Sequence, residues 1–216
     1  WLVGEVYDWI SVSYPDQNCD FWRTINGEVQ LINELDPYLN YSNLDRLIIL
    51  TPRNTNCVFG GISSLGKLQF DTNEGISYFS TELLSTNYPD YPLISHELGH
   101  GFGLLHASDY DCGAYSIGDV CNIYEYGDAF DVMGSTVYAG HFNGPHKDQL
   151  GWFNQENIID VQYPGGVYAI ELFETPTLNA QVIRIPIRYY TTPFFYSVYY
   201  YLEYRNFDEK YFEIFD

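Results

Sequence analysis

The chain has 216 residues, of which 46% are hydrophobic and 18% charged, enough apolar material for a packed core and too much for wholesale disorder. Its 29 acidic against 9 basic side chains give a formal charge of −20, a surface that repels phosphate backbones and argues against nucleic acid as a partner. No apolar run approaches the roughly 18 residues that a membrane-spanning helix requires. Residue 1 is Trp and no charged-then-apolar leader follows, so the chain is expected to be a processed product or a fragment.

In chain order, Val3, Val6, Ile10 and Val12 among polar neighbours predict a first strand over 3–13. Ile25, Val29, Ile32 and Leu35 recur at helical spacing, so a helix is expected over about 22–36, stopped by Asp36-Pro37. Leu44 and Leu47 to Leu50 form a short apolar run before Pro52, the pattern of a strand buried on both faces. Strand, helix and strand together imply a right-handed crossover. Gly60-Gly61 through Phe70 predicts a further strand, and polar 71–90 a turn-rich stretch with an edge strand near Ile76 to Phe79. Asp90 and Pro92 suit a helix start, and Leu93, Ile94, Leu98 and Phe102 continue in register to 102. A long acidic loop follows over 107–140, then a short helix at 146–151. From Tyr163 the pattern turns to alternating aromatic and β-branched residues, expected as antiparallel strands over 163–216. The expected division is a domain over 1–155 and a β-rich region over 156–216, the latter a complete or an incomplete domain.

Four cysteines, at 19, 57, 112 and 121, suit an oxidising compartment and allow three pairings. The short spacing of Cys112 and Cys121 favours a local staple, which leaves Cys19 with Cys57.

All five histidines fall between residues 96 and 146. In His96-Glu97-Leu98-Gly99-His100, the two histidines lie four apart and share one helix face. Both imidazoles can then reach one Zn²⁺ at about 2.0–2.1 Å, while Glu97 lies beside that face as a general base for an attacking water. On a continued helix His106 would stand about 15 Å beyond His96, out of reach. Gly103 accepts positive φ, so the chain can turn there and bring His106 back as the third ligand. Three histidines leave a fourth position open, the catalytic rather than the structural arrangement.

This string, His96-Glu97-x-x-His100-x-x-Gly103-x-x-His106, resembles the zinc signature of the metzincin metalloendopeptidases. The only methionine, Met133 in Asp131-Val132-Met133-Gly134, stands where that clan has a Met-turn flooring the ligands. Tyr126-Gly127-Asp128, Phe142-Asn143-Gly144-Pro145-His146, Leu150-Gly151-Trp152 and the late Tyr201-Leu202-Glu203-Tyr204-Arg205 are similar to the gametolysin-type peptidases. The resemblance implies an α/β (α+β) metzincin-like domain and a β-rich C-terminal region. It also implies a secreted zinc endopeptidase acting on extracellular or cell-wall proteins and glycoproteins. Where some metzincins carry an oxyanion-assisting tyrosine two residues past the Met, this chain has Ser135; Tyr138 is the nearest substitute.

Three further features carry expectations. His141 and His146 are candidate substrate or second-metal residues, weighed against ordinary cap or surface roles. The acidic loop 109–131 is a candidate Ca²⁺ site, although it lacks a D-x-D-x-D-G pattern. The Tyr-rich run 189–204 reads as cross-strand packing or as a self-associating, carbohydrate-stacking surface. The competing functional expectation is therefore a surface or assembly module that keeps the peptidase fold.

Overall fold

The structure, a computed structural model, describes residues 4–11, 19–52, 57, 59–85, 91–115, 118, 120–135, 140–162, 164–173, 177–187 and 198–205. The chain divides into two compact units, Trp1–Pro89 and Asp90–Asp216. Both mix helix and sheet, giving an α+β architecture; the change of composition at 155–163 lies inside the second unit.

In the first unit, helix α1 (Phe21–Leu35) starts at Asp20, whose carboxylate accepts from Arg23 N at 3.0 Å. It ends where Asp36 precedes Pro37, as expected, and its Phe21, Ile25, Val29 and Ile32 are buried. These pack with Tyr41, Phe70, Phe79 and Leu83 into one core, in which the Phe70 and Phe79 rings stack at 4.5 Å. The strands are β1 (Arg46–Thr51), β2 (Gly61–Ser63), β3 (Leu68–Thr72) and β4 (Gly75–Ser85). β4 is central: β1 runs parallel to its second half, β2 antiparallel to the same half, and β3 antiparallel to its first half.

Several expectations are corrected here. The segment 60–70 holds two strands, broken by a turn in which Gly66 takes φ +72°. The segment 71–90 contains the longest strand and the centre of the sheet rather than an edge. Its polar residues misled because Ser77, Ser80, Thr81 and Glu82 are buried there. β1 is not buried on both faces: Leu47 and Ile49 pack on the core, whereas Ile48 and Leu50 are 40% and 49% exposed. Residues 4–11 form no strand; Val6 and Trp9 are exposed, and Tyr7 Oη instead donates to Asp36 Oδ2 at 3.0 Å. Their apolar residues come in adjacent pairs, Val6-Tyr7 and Trp9-Ile10, which cannot share one strand face. Residues 3 and 12–13 of that expected strand lie outside the described residues. The parallel pair in the sheet is thus β1 with β4, reached through β2 and β3 rather than through α1. Cys19 and Cys57 are bonded, as the spacing suggested.

In the second unit, helix α2 (Tyr91–Gly101) carries the histidine string, with Pro92 in its first turn. Asp90, its expected cap, lies outside the described residues. The acidic segment forms a short hairpin, β5 (Asp109–Asp111) with β6 (Asn122–Tyr124), closed by the Cys112–Cys121 disulfide. Helix α3 (Gly144–Gln149) is capped by Asn143, whose side chain accepts from His146 N at 3.0 Å.

The C-terminal sheet has order β7 (Ile158–Asp160), β8 (Val182–Ile187), β9 (Val198–Glu203). β8 and β9 are antiparallel as expected, but β7 and β8 are parallel, so the sheet is mixed. Residues 167–172 form no strand; only Leu172 bridges, to Tyr204. On β9 the alternation is functional packing. Tyr201 Oη donates to Asp148 Oδ2 at 2.6 Å and Tyr199 lies under Arg184, while Tyr200, Leu202 and Tyr204 face solvent. Arg184 joins Asp160, at 2.6 and 2.9 Å, to Asp148 of α3 at 2.7 Å. Tyr189 to Ser197 of the aromatic run lie outside the described residues.

Candidate metal centre

Helix α2 ends in a Schellman turn. Gly103, with φ +90°, donates to His100 O at 2.7 Å and Leu104 donates to Gly99 O at 3.0 Å. This reversal carries the chain back so that His106 meets the two helical histidines. The ligating nitrogens of His96, His100 and His106 all lie within 4.8 Å of one another, and the Nε2 atoms of His100 and His106 are 3.1 Å apart. A tetrahedral site with bonds near 2.1 Å needs a ligand spacing of about 3.4 Å, so the donor set fits a metal ion.

Each imidazole is oriented through its other nitrogen. His96 Nδ1 meets Val132 O at 2.8 Å, His100 Nδ1 meets Leu104 O at 2.8 Å, and His106 Nδ1 meets Glu125 Oε1 at 2.6 Å. With Nδ1 carrying the proton toward these acceptors, Nε2 is the free lone pair in all three. Burial pushes His96 down to about 4, against the opposing pull of its bond to Val132, and burial also lowers His100. Both rings are therefore neutral at neutral pH, the form that ligates metals.

Beneath the ligands, Met133 is fully buried with Leu104, Ala107 and Val132. Its Sδ lies so close to α2 that a Cβ on Gly99 would overlap it. The turn bearing Met133 is held by Asp131, a buried carboxylate. Asp131 accepts from Met133 N at 2.6 Å through one oxygen, and from Asn143 N at 2.6 Å and His146 Nδ1 at 2.8 Å through the other. Glu97, next to His96 on α2, is buried at 5% exposure.

His146 is thus spent in the Asp131 clasp. His141 bridges Asp131 through backbone and is pushed down to about 4, first by burial and then by Lys147 and Arg205. Among the described residues, His96, His100 and His106 form the one cluster able to hold a metal. In the candidate Ca²⁺ loop, Asp109, Asp111 and Asp128 instead accept from the backbone amides of Tyr110, Gly113 and Phe130. Asp119 and Tyr138 lie outside the described residues.

The sequence reading missed Glu125 and Tyr126 as site residues. The Tyr126 ring lies 3.9 Å from His106 and 5.8 Å from His96. Its φ of +63° is uncommon for a residue with a side chain, and burial, then Glu125 and Glu97, raise its pKa. Tyr126-Gly127 is a detectable turn dipeptide, but nothing in linear spacing aims that turn at His106. Comparison with protein-family profiles, curated proteins and solved structures found no match to this chain.

Proposed function

We propose that the chain is a secreted, zinc-dependent endopeptidase of metzincin type, acting on extracellular or cell-wall proteins. The observation that carries the reading is the convergence of three histidines beside one buried glutamate, over a buried methionine. Zinc is the metal that such an all-imidazole set with an open position suits, and when bound it would supply Lewis acidity to a carbonyl and to water. The chain's own contribution is proton handling and orientation. Glu97 takes a proton from the attacking water and returns it to the leaving amine nitrogen. Val132 O, Leu104 O and Glu125 hold the three rings with Nε2 forward. The two disulfides support an oxidising, extracellular setting.

The test is Glu97→Gln, nearly isosteric and unable to accept the proton. Zinc content should be unchanged, while cleavage of casein should fall by about 10²–10⁴-fold. Cleavage at the wild-type rate would remove Glu97 from the mechanism. A second reading, an assembly module, draws on the exposed Tyr200 and Leu202 of β9 and on Tyr204 just past its end. It predicts concentration-dependent association that Tyr200→Ser with Tyr204→Ser abolishes, and full retention of that behaviour in Glu97→Gln.

A further inference from the structure

The three ligands are not anchored alike. His96 and His100 stand on α2, and their Nδ1 atoms meet main-chain carbonyls that no side-chain substitution removes. His106 lies past the Schellman turn, off the helix, with a side chain 22% exposed. Its Nδ1 partner is a side chain, Glu125, itself 67% exposed, at 2.6 Å. The Tyr126 ring covers the imidazole at 3.9 Å. Consecutive residues therefore grip one ligand by its edge and by its face.

A pair this exposed is ordinarily worth little, because holding a free carboxylate in place costs side-chain and loop entropy. Here the loop part of that entropy has been removed beforehand. Glu125 directly follows β6, whose register with β5 pairs Asp109 with Tyr124 and Asp111 with Asn122, and Cys112–Cys121 locks the next position. The turn after β6 is closed by Gly127 N donating to Tyr124 O at 2.9 Å. A Cβ on Gly127 would strike Asp109 and Tyr124 O, so that backbone is pressed onto β5 with no room to drift. Tyr126 takes its left-handed φ inside this turn, and a conformation of that kind persists only where its surroundings enforce it.

We infer that Glu125 and Tyr126 are positioning residues for the metal, and that the stapled β5–β6 hairpin sets the affinity of the site by holding them against His106. The inference rests on the three-histidine metal reading and adds to it which part of the chain makes the third ligand effective. The hairpin is then a second place, besides α2, where metal affinity is set.

The experiment measures Zn²⁺ affinity by competition with a chromophoric chelator, and the visible spectrum of the Co²⁺-loaded protein. The variants are Glu125→Ala, Glu125→Gln, Tyr126→Ala, Tyr126→Phe, and Cys112→Ser with Cys121→Ser. Loss of a partner of this kind costs about 10–100-fold in metal affinity. Glu125→Ala should show that loss and a shifted Co²⁺ band. Glu125→Gln, which keeps an acceptor oxygen, should recover much of it, and Tyr126→Phe, which keeps the ring, should bind more tightly than Tyr126→Ala. The cysteine pair should weaken binding too, and adding Glu125→Ala to it should cost less than in the wild-type background, because both act through one contact. Metal-free unfolding of Glu125→Ala should match the wild type, separating positioning from general stability. If Glu125→Ala and the cysteine pair both bind Zn²⁺ as tightly as the wild type, the hairpin has no such role although the metal site stands. If the wild type itself binds no Zn²⁺, the metal reading falls and takes the inference with it.

Discussion

Replacing Gly99 by alanine perturbs the site while leaving every ligand in place. In an isolated helix the change would help by about 1 kcal/mol, since glycine is the costlier residue there. In this helix the added Cβ overlaps Met133 Sδ and comes within 3.1 Å of Phe142 Cε1. Met133 is flexible in principle, but it is fully buried and has no solvent-side escape. Overpacking of this kind costs about 1–3 kcal/mol, so the helix gain should be cancelled and the net change destabilising by up to about 2 kcal/mol. Met133→Ala alone should cost about 2–5 kcal/mol through the cavity it leaves. The double variant should be less damaged than the two changes added together, because each relieves the other. Urea unfolding followed by tryptophan fluorescence suits the measurement, Trp152 lying 5.5 Å from Phe142 ring to ring. Zn²⁺ affinity should follow the same order, since His96 and His100 flank Gly99 on α2. Strict additivity, or a Gly99→Ala protein stabilised by the full helix increment, would refute the close-packed floor.

Glu82, in the middle of β4, is fully buried; burial raises its pKa to about 7, against the opposing effects of Arg46 and Ser80, and its Oε2 has no hydrogen-bond partner among the described residues. A raised folded-state pKa means stability is full below the ordinary value near 4.5 and is lost as pH climbs through about 7. Glu82→Gln should therefore match the wild type at pH 4 and exceed it at pH 8, by up to about 3 kcal/mol at roughly 1.4 kcal/mol per pKa unit. Denaturant titrations at the two pH values check this, and an unchanged difference would overturn it. Asp131→Asn should cost about 3 kcal/mol, because an amide has one acceptor oxygen and cannot accept from Met133 N as well as from Asn143 N and His146 Nδ1. Loss of zinc affinity should accompany it, since the Met133 turn hangs from the same carboxylate; thermal melts with and without zinc read both effects.

The three-histidine cluster was legible because its chemistry is local. His96, Glu97 and His100 need only a helix, and His106 needs only the glycine turn three residues earlier. Helix α1 was equally plain, with its apolar stripe and its Asp36-Pro37 stop. What escaped was whatever tertiary context decides. β4 is polar enough to read as a loop, and only its neighbours on both sides make it a strand. Residues 4–11 are apolar enough to read as a strand, but their apolar side chains fall in neighbouring pairs. The parallel β7–β8 pairing joins segments more than twenty residues apart, with no turn signal to announce it. Glu125 and Tyr126 escaped because a hairpin, not a spacing, delivers them.

Strand β4 also carries a consequence for the order in which the first unit assembles. Its first half, Gly75–Phe79, pairs only with β3 across the short turn at Asn73-Glu74, a contact between near neighbours in sequence. Its second half, Ser80–Ser85, is clasped from both sides, by β1 from thirty-four positions upstream and by β2. Closing the short hairpin takes microseconds, whereas the distant parallel pairing must wait on a much larger loop. One continuous strand is therefore completed in two episodes, with the seam between Phe79 and Ser80. The early half offers Phe79 and Phe70 as the template on which α1 settles, and the late half brings Glu82 out of water only when β1 arrives. Burial of that carboxylate is thus expected after the β3–β4 hairpin has closed, and its pH sensitivity is expected in the unfolding rate more than in the folding rate.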